Sequence, residues 1–162
     1  INSMTLDEKI GQMIITGFNG SEYNDDMDRL INEYKVGGVI LFARNIEDSN
    51  QMIDLTRALQ ENNNNLPLFI SIDEEGGRVS RLPDDVEKFP SAFTIGLINN
   101  QQTAYENGKE IGYTLKRLGI NLDYAPVLDI YSNENNTVIG DRAFSKEESI
   151  VSTMGIATME GI

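Results

Sequence analysis

The sequence contains no cysteine and no histidine. Without cysteine the chain has neither a disulfide framework nor a thiol nucleophile. Without histidine it lacks the commonest general base and the commonest zinc ligand of proteins. Any mechanism that depends on histidine is therefore excluded for these 162 residues.

Positive charge and long apolar runs are also scarce. The 13 Lys and Arg residues face 26 Asp and Glu residues, which gives a net charge of −13. Phosphate binding needs a basic surface, so we predict no nucleic-acid partner. No apolar run approaches the roughly 20 residues of a membrane-spanning helix, so we predict no membrane span.

The beginning of the chain, INSMTLDEK, has no Met at position 1 and no signal-peptide pattern. We interpret this as the result of a trimmed leader or anchor. Secreted, cell-surface and cytoplasmic locations all stay open.

Strand-like apolar runs alternate with helix-period patterns along the chain. Thr5-x-x-Glu8 and Ser145-x-x-Glu148 are capping boxes, and Ser49 is a third candidate for a helix N-cap. Helices are predicted to start at these positions and to cover about 22–35 and 104–118, and strands are predicted at 13–18, 39–43, 66–72 and 121–130. This order predicts a parallel sheet flanked by helices.

Two architectures fit such a sheet: an open doubly wound sheet and a (β/α)8 barrel. The turn after the first predicted strand, TGFNGSEYND, lacks the glycine-rich phosphate-binding patterns of doubly wound folds. We therefore predict an α/β fold of about four strand–helix units, the first half of a (β/α)8 TIM-type barrel.

Polar residues that follow the predicted strands are the candidates for a functional site, because parallel strands end at one edge of the sheet. Amide, arginine and carboxylate groups there suit a polyol or a sugar better than an apolar ligand. The candidates are Asn19, Arg44, Asn45, Asp73 to Glu75, Asp129 and Arg142. Structural roles compete for several of them: Asn19 as a turn former, Arg44 as a tie between strands, Asp129 as a turn cap, and Asp141 as an arginine partner.

The segment FISIDEEGGRV places three acids at the end of the third predicted strand. Strand alternation sends Asp73 and Glu75 to one side and Glu74 to the other. Gly76 and Gly77 permit a close backbone approach, and Arg78 is placed to neutralise one of the acids. The triplet could bind ligand hydroxyl groups or hold Mg²⁺, and the spacing leaves both roles open.

Three segments resemble the N-terminal barrel of glycoside hydrolase family 3, in its β-N-acetylhexosaminidase branch. They are DEEGGRV (73–79), YAPVLD (124–129) and VIGDRAF (138–144), and the resemblance covers essentially the whole chain. It implies a barrel that uses no metal or other cofactor in the retaining hydrolysis of terminal β-linked N-acetylglucosamine. It also implies that Asp73 and Arg142 bind the sugar, that Glu75 and Arg78 support them, and that Asp129 is structural.

The chain departs from this branch because it lacks the family's Lys-His-Phe-Pro-Gly-His-Gly motif. We expect that motif and the nucleophilic Asp after Ile162, so that 1–162 is part of a domain, carries no catalytic residue and is inactive alone. The parent enzyme would be an exo-acting β-N-acetylglucosaminidase of peptidoglycan or amino-sugar turnover. The alternatives are a β-glucosidase or β-xylosidase, a non-catalytic carbohydrate-binding module and a metal-dependent enzyme that uses the acidic triplet. We expect an open half-barrel to self-associate.

Overall fold

The computed structural model describes residues 2–162, which fold into two compact units. The first unit comprises residues 2–72, 83–86 and 117–123, and the second comprises 73–82, 87–116 and 124–162. The helices are α1 (Leu6–Gly11), α2 (Asp25–Asp28), α3 (Ser49–Glu61), α4 (Ala92–Ile98), α5 (Gln101–Arg117) and α6 (Glu148–Gly161), and the strands are β1 (Ile15–Thr16), β2 (Gly38–Ile40), β3 (Phe69–Ile72) and β4 (Leu122–Asp123). A π-helical turn, Arg29–Glu33, continues α2, and 3-10 turns cover Ala43–Asn45 and Gly140–Arg142.

The four strands form one parallel sheet in the order β1-β2-β3-β4, so each strand pairs with the next one along the chain. A doubly wound sheet reverses its strand order at a switch point, whereas a (β/α)8 barrel adds each strand beside the last. The observed order is that of the barrel. The predicted fold class is confirmed, although the sheet of residues 2–162 is open and does not close into a barrel.

The first unit contains the sheet and packs it with amphipathic segments. The α3 helix buries one face, made of Met52, Leu55, Thr56 and Leu59. The Asn121 side chain joins the chain entering β4 to β3, because its amide donates to the Leu68 carbonyl and its oxygen accepts from the Ile70 N–H, at 2.9 and 2.8 Å. These two bonds hold the beginning of β3 beside the chain that enters β4.

The second unit has its own apolar core. Its buried side chains come from α4, α5, α6 and the segment before α6, and they are Ala92, Ile95, Ala104, Phe144, Val151, Met154 and Ala157. The α5 helix belongs to this unit except for its last residue, Arg117. The two loops that carry the acidic triplet and Arg142 also lie in this unit.

Several local predictions need correction. The Thr5–Glu8 capping box is present, but Ser145 caps no helix: its hydroxyl accepts from the Glu147 N–H, and α6 starts without a side-chain cap. Asp48, not Ser49, is the N-cap of α3. The α4 helix was not among the predicted helices, and the predicted strand 121–130 shortens to β4.

In residues 2–162 no helix is both long and apolar enough to cross a membrane.

The ion pair between Glu8 and Lys35 makes the stability of the first unit depend on pH. The two charged atoms are 2.5 Å apart, and the hydrogen bond from Lys35 lowers the pKa of Glu8 from 4.5 to about 2. A depressed folded-state pKa contributes stability that is present above the unfolded value and is lost as the pH falls through the folded value. The contribution should therefore disappear between about pH 4.5 and pH 2.

We expect Glu8→Gln to be less stable than the native sequence at pH 7, and the difference to shrink as the pH falls toward 2. Urea unfolding midpoints across this range measure it. Glu61→Gln is the control, because Glu61 is an exposed carboxylate without an ion pair in residues 2–162. If the difference in urea midpoint between the native sequence and Glu8→Gln stays constant from pH 7 to 2.5, the Lys35 contact does not act through the charge of Glu8.

Candidate sugar-binding site

The three acids after β3 have three different sets of partners. Glu75 binds Arg142, Glu74 is fully buried and binds backbone and hydroxyl groups, and the Asp73 side chain is 28% exposed with Arg81 as its nearest cation. Burial of Glu74 apart from Asp73 agrees with strand alternation. Among residues 2–162 no three acidic side chains converge as a metal site would require, so the geometry gives no support to the metal-dependent alternative.

Glu75 and Arg142 form a bidentate salt bridge. The Arg142 Nε–H and Nη2–H groups each donate to one carboxylate oxygen of Glu75, both at 2.8 Å. The Glu75 side chain is only 6% exposed and that of Arg142 is 25% exposed, so water screens the pair weakly. The bond to Glu75 raises the pKa of Arg142, and the negative charges of Asp129 and Asp73 raise it further. The pair fixes the plane of the Arg142 guanidinium group.

Arg78 organises the loop that carries Arg142. Its Nε–H group lies 2.8 Å from an Asp141 oxygen, and its Nη2 donates to three consecutive carbonyls, those of Thr137, Val138 and Ile139, at 2.9, 2.6 and 3.0 Å. The sequence suggested that Arg78 neutralises an acid of the triplet. Its acidic partner is Asp141 instead, which agrees with the structural role suggested for Asp141.

Arg81, which the sequence reasoning did not single out, is the cation beside Asp73. Its Nη2 atom lies 3.9 Å from an Asp73 oxygen. Both side chains are about a quarter exposed, so the Asp73 carboxylate keeps access to solvent. The sequence could have indicated Arg81 by its position, because it lies three residues after Arg78 and both arginines follow a turn that reverses the chain toward the acids.

Gly76 and Gly77 make that turn. Both have positive φ angles, +74° and +58°, which side chains rarely allow. A Cβ atom on Gly76 would lie 2.3 Å from the Pro90 carbonyl oxygen, and one on Gly77 would lie 2.6 Å from the Ser91 Cβ atom. The predicted close backbone approach is confirmed at both glycines.

Glu74 holds the same turn from inside. Its carboxylate accepts hydrogen bonds from the Ser80 hydroxyl, the Arg81 N–H and the Gly76 N–H, at 2.7, 2.9 and 3.2 Å. Burial raises the pKa of Glu74 above 4.5, although these donors oppose the rise. Because the folded state favours the neutral acid, this group favours folding most at low pH, and the effect declines as the pH rises through its folded-state pKa.

Other candidates are structural within the first unit. Asn45 is buried and donates to the carbonyls of Phe18 and Gly20, at 3.2 and 2.8 Å. The Arg44 Nε–H group donates to the same Phe18 carbonyl at 3.0 Å, and its guanidinium group lies 4.7 Å from the centre of the Phe42 ring. These contacts shape the turn that contains Asn19, as the structural reading of Arg44 and Asn19 suggested.

The model of the glycosyl hydrolase family 3 N-terminal domain matches residues 5–162. The chain belongs to glycosyl hydrolase family 3. This confirms the family that the three segments indicated, and the match covers nearly the whole sequence.

Curated relatives of this family 3 chain carry the name beta-hexosaminidase. Beta-hexosaminidase A of Pseudoalteromonas piscicida is 40% identical over 143 residues, which are 83% of this chain and 24% of that protein. The beta-hexosaminidase of Nitrosomonas eutropha is 40% identical over 133 residues, 78% of this chain and 38% of that protein. This chain therefore spans about a quarter to two fifths of these relatives.

Solved structures of family 3 proteins share the fold. A beta-N-acetylglucosaminidase from Paenibacillus sp. str. FPU-7 superposes with a TM-score of 0.95 at 41% identity, covering 98% of this chain and 31% of that one. NagZ from Neisseria gonorrhoeae, solved in complex with N-trifluoroacetyl-D-glucosamine, superposes with a TM-score of 0.84 at 26% identity, covering 91% of this chain and 45% of that one.

The two arginine–carboxylate pairs of the site should differ in strength, because one is buried and the other is exposed. Glu75→Gln removes the charge that holds a largely buried guanidinium group, and we expect a loss of about 1.5–3 kcal/mol in the free energy of unfolding. Asp141→Asn is the matched control, because the Arg78–Asp141 pair is more than 40% exposed on both sides and should contribute about 0.2–1 kcal/mol. Chemical denaturation of both variants measures the difference, and equal losses would contradict this ranking.

Proposed function

We propose that this chain supplies part of the sugar-binding pocket of an exo-acting retaining β-N-acetylglucosaminidase. The observation that carries the proposal is that a rigid cation, Arg142, and a solvent-accessible carboxylate, Asp73, lie in one loop cluster of a family 3 domain, where the charge of Asp73 contributes to the raised pKa of Arg142. The names of the curated relatives and the glucosamine derivative bound by the Neisseria protein support the substrate class. Glu75 and Arg78 act as supports of this cluster.

Arg142 keeps donors for a ligand. A guanidinium group has five N–H bonds, and two are directed at Glu75 and one at the Val138 carbonyl at 3.3 Å, which leaves two of the five without a partner in residues 2–162. Because Glu75 fixes the plane of the group, little side-chain entropy is lost when these donors bind a sugar oxygen. Arg142 is thus suited to hold a sugar hydroxyl or the acetamido carbonyl.

Asp73 is suited to accept hydrogen bonds from sugar hydroxyl groups. Its carboxylate follows directly after β3 and keeps access to solvent, with Arg81 at 3.9 Å as its nearest cation. Charged acceptors form the stronger class of hydrogen bonds, so a small number of them can orient a polar ligand. The same cluster would also serve a carbohydrate-binding module, which makes the binding site separable from catalysis.

The chain by itself lacks a catalytic pair. Retaining glycosidases need a nucleophile and an acid–base group about 5 Å apart. Glu75 is the only carboxylate on the same side of the strand end as Asp73 in the triplet, and its two oxygens already bind Arg142. Glu75 is therefore engaged in holding Arg142 and is not placed to act on a glycosidic bond. We therefore propose that the acid–base group and the nucleophile lie outside these 162 residues.

The proposed function predicts binding without turnover. We expect the chain to bind N-acetylglucosamine weakly, as measured by NMR titration, and to release no chromophore from a β-N-acetylglucosaminide. Asp73→Ala should weaken binding about 10–100-fold, because it removes a hydrogen bond to a charged group. Asp54→Ala, an exposed carboxylate on α3, is the control. Binding that survives Asp73→Ala, or turnover that disappears with it, would contradict the proposal, and equal binding of glucose would favour the glucosidase alternative.

We also propose that the isolated chain self-associates through its sheet. Ile15, Gly38 and Phe69 are neighbours in the strand register, so Ile15 and Phe69 project from the same face with only a glycine between them. Ile15 is 37% exposed and Phe69 is 53% exposed, which leaves an apolar sheet face in contact with water. A second copy of the chain could cover this face.

We expect light scattering to show a concentration-dependent dimer or larger species, and Phe69→Ser to shift it toward the monomer. Leu97→Ser is the control, because Leu97 is an exposed apolar residue on α4 and not on the sheet. A monomer at high concentration would rule out the proposal, and so would equal effects of the two substitutions.

A further inference from the structure

An internal cavity lies in the second unit between α5, α6 and the loops of the candidate site. Its volume is about 10 Å³, and its wall includes Glu75, Asn107, Ile111, Arg142, Phe144 and Thr158. A cavity of this size has room for one water molecule and for nothing larger. Most of the wall is apolar, so the few polar groups on it decide what the cavity holds.

Thr158 places a buried hydroxyl group on this wall. Its side chain is 4% exposed, and its Oγ1 atom makes no hydrogen bond to any group in residues 2–162. Threonine in a helix commonly bonds the carbonyl one turn earlier, as Thr153 does with Ser149 at 2.7 Å in the same helix. A buried hydroxyl without a partner costs free energy, so such groups in native proteins normally bind protein or ordered water.

Asn107 faces the same cavity from α5. The two helices are close at this point, since a Cβ atom on Gly108 would lie 2.2 Å from the Thr158 carbonyl oxygen. Asn107 is half-buried, and its amide, with two donors and an acceptor, makes no hydrogen bond to the described part of the chain, so it is available to bind a water in the cavity. Glu75 adds further acceptor capacity, because each of its oxygens accepts only one hydrogen bond from Arg142.

We propose that one ordered water molecule occupies this cavity and bridges the Thr158 hydroxyl group to the Asn107 amide, with the Glu75 carboxylate as a third partner. Three polar groups are the usual number around a buried water. The water would join α5 to α6 behind the Glu75–Arg142 pair. This site does not depend on the proposed function, because it rests on the burial and chemistry of its wall alone.

The substitution Thr158→Val distinguishes a hydrated cavity from a dry one. Valine has the shape of threonine but no hydroxyl group. If the hydroxyl group has no partner, valine should raise the urea unfolding midpoint, because a buried unsatisfied group is removed. If the hydroxyl group binds the water, valine should lower it. We expect it to fall, and an unchanged or higher midpoint overturns the proposal. Thr153→Val controls for the effect of valine on α6, since threonine and valine have similar helix propensities.

A double-mutant cycle with Asn107→Ala tests whether one water links the two side chains. Thr158 and Asn107 form no direct hydrogen bond, so any coupling between the two substitutions arises through the cavity that they share and through what it contains. With a shared water the second substitution should cost less than it does alone. Additive effects overturn the bridge. A high-resolution crystal structure of the unsubstituted chain decides independently of the variants, because electron density within hydrogen-bonding distance of Thr158 Oγ1 supports the proposal and its absence refutes it.

Discussion

The bidentate salt bridge between Glu75 and Arg142 is the constraint on which the candidate site depends. It joins the segment after β3 to a loop 67 residues further along the chain, and it uses both oxygens of an almost fully buried carboxylate. A guanidinium group held at two points keeps one orientation, so its remaining donors point in a fixed direction. The three neighbouring acids have different roles. Glu75 holds Arg142, Glu74 holds the turn, and Asp73 stays accessible to solvent.

Under the proposed function, sugar recognition and bond cleavage belong to different parts of the parent protein. The accessible carboxylate and the fixed cation are donors and acceptors with definite positions, which is what orientation of a polyhydroxylated ligand requires. The other two acids of the triplet are buried or nearly buried and are engaged by hydrogen-bond donors of the protein, which leaves them poorly placed to contact a ligand. In family 3 relatives that are about two to four times as long as this chain, the remaining sequence has room for the reactive groups.

The strand–helix alternation, the fold class and the turn glycines could be predicted because each follows from a local rule of period or backbone angle. The acid that each arginine contacts could not be predicted in this way. Arg78 and Arg81 lie three residues apart after the same turn, and only the position of the loop 137–142 decides that Arg78 binds Asp141 while Arg81 lies beside Asp73. The burial of Glu74 was likewise invisible, because its donors come from a backbone path that two positive φ angles create.

The three carbonyls held by Arg78 have a consequence for how the protein folds. Their sequence separation from Arg78 is 59 to 61 residues, so the chain must close a long loop before any of these bonds forms. Contacts between residues so far apart in the sequence slow folding, because they stabilise the chain only after the intervening helices have formed. The segment NTVIGDR forms local turns, such as the hydrogen bond from the Gly140 N–H to the Asn136 carbonyl at 3.2 Å, but its position in the second unit depends on these long-range bonds. Arg78 reaches this segment from a distant part of the chain, so the loop that carries Arg142 would be among the last parts of the molecule to take its final form.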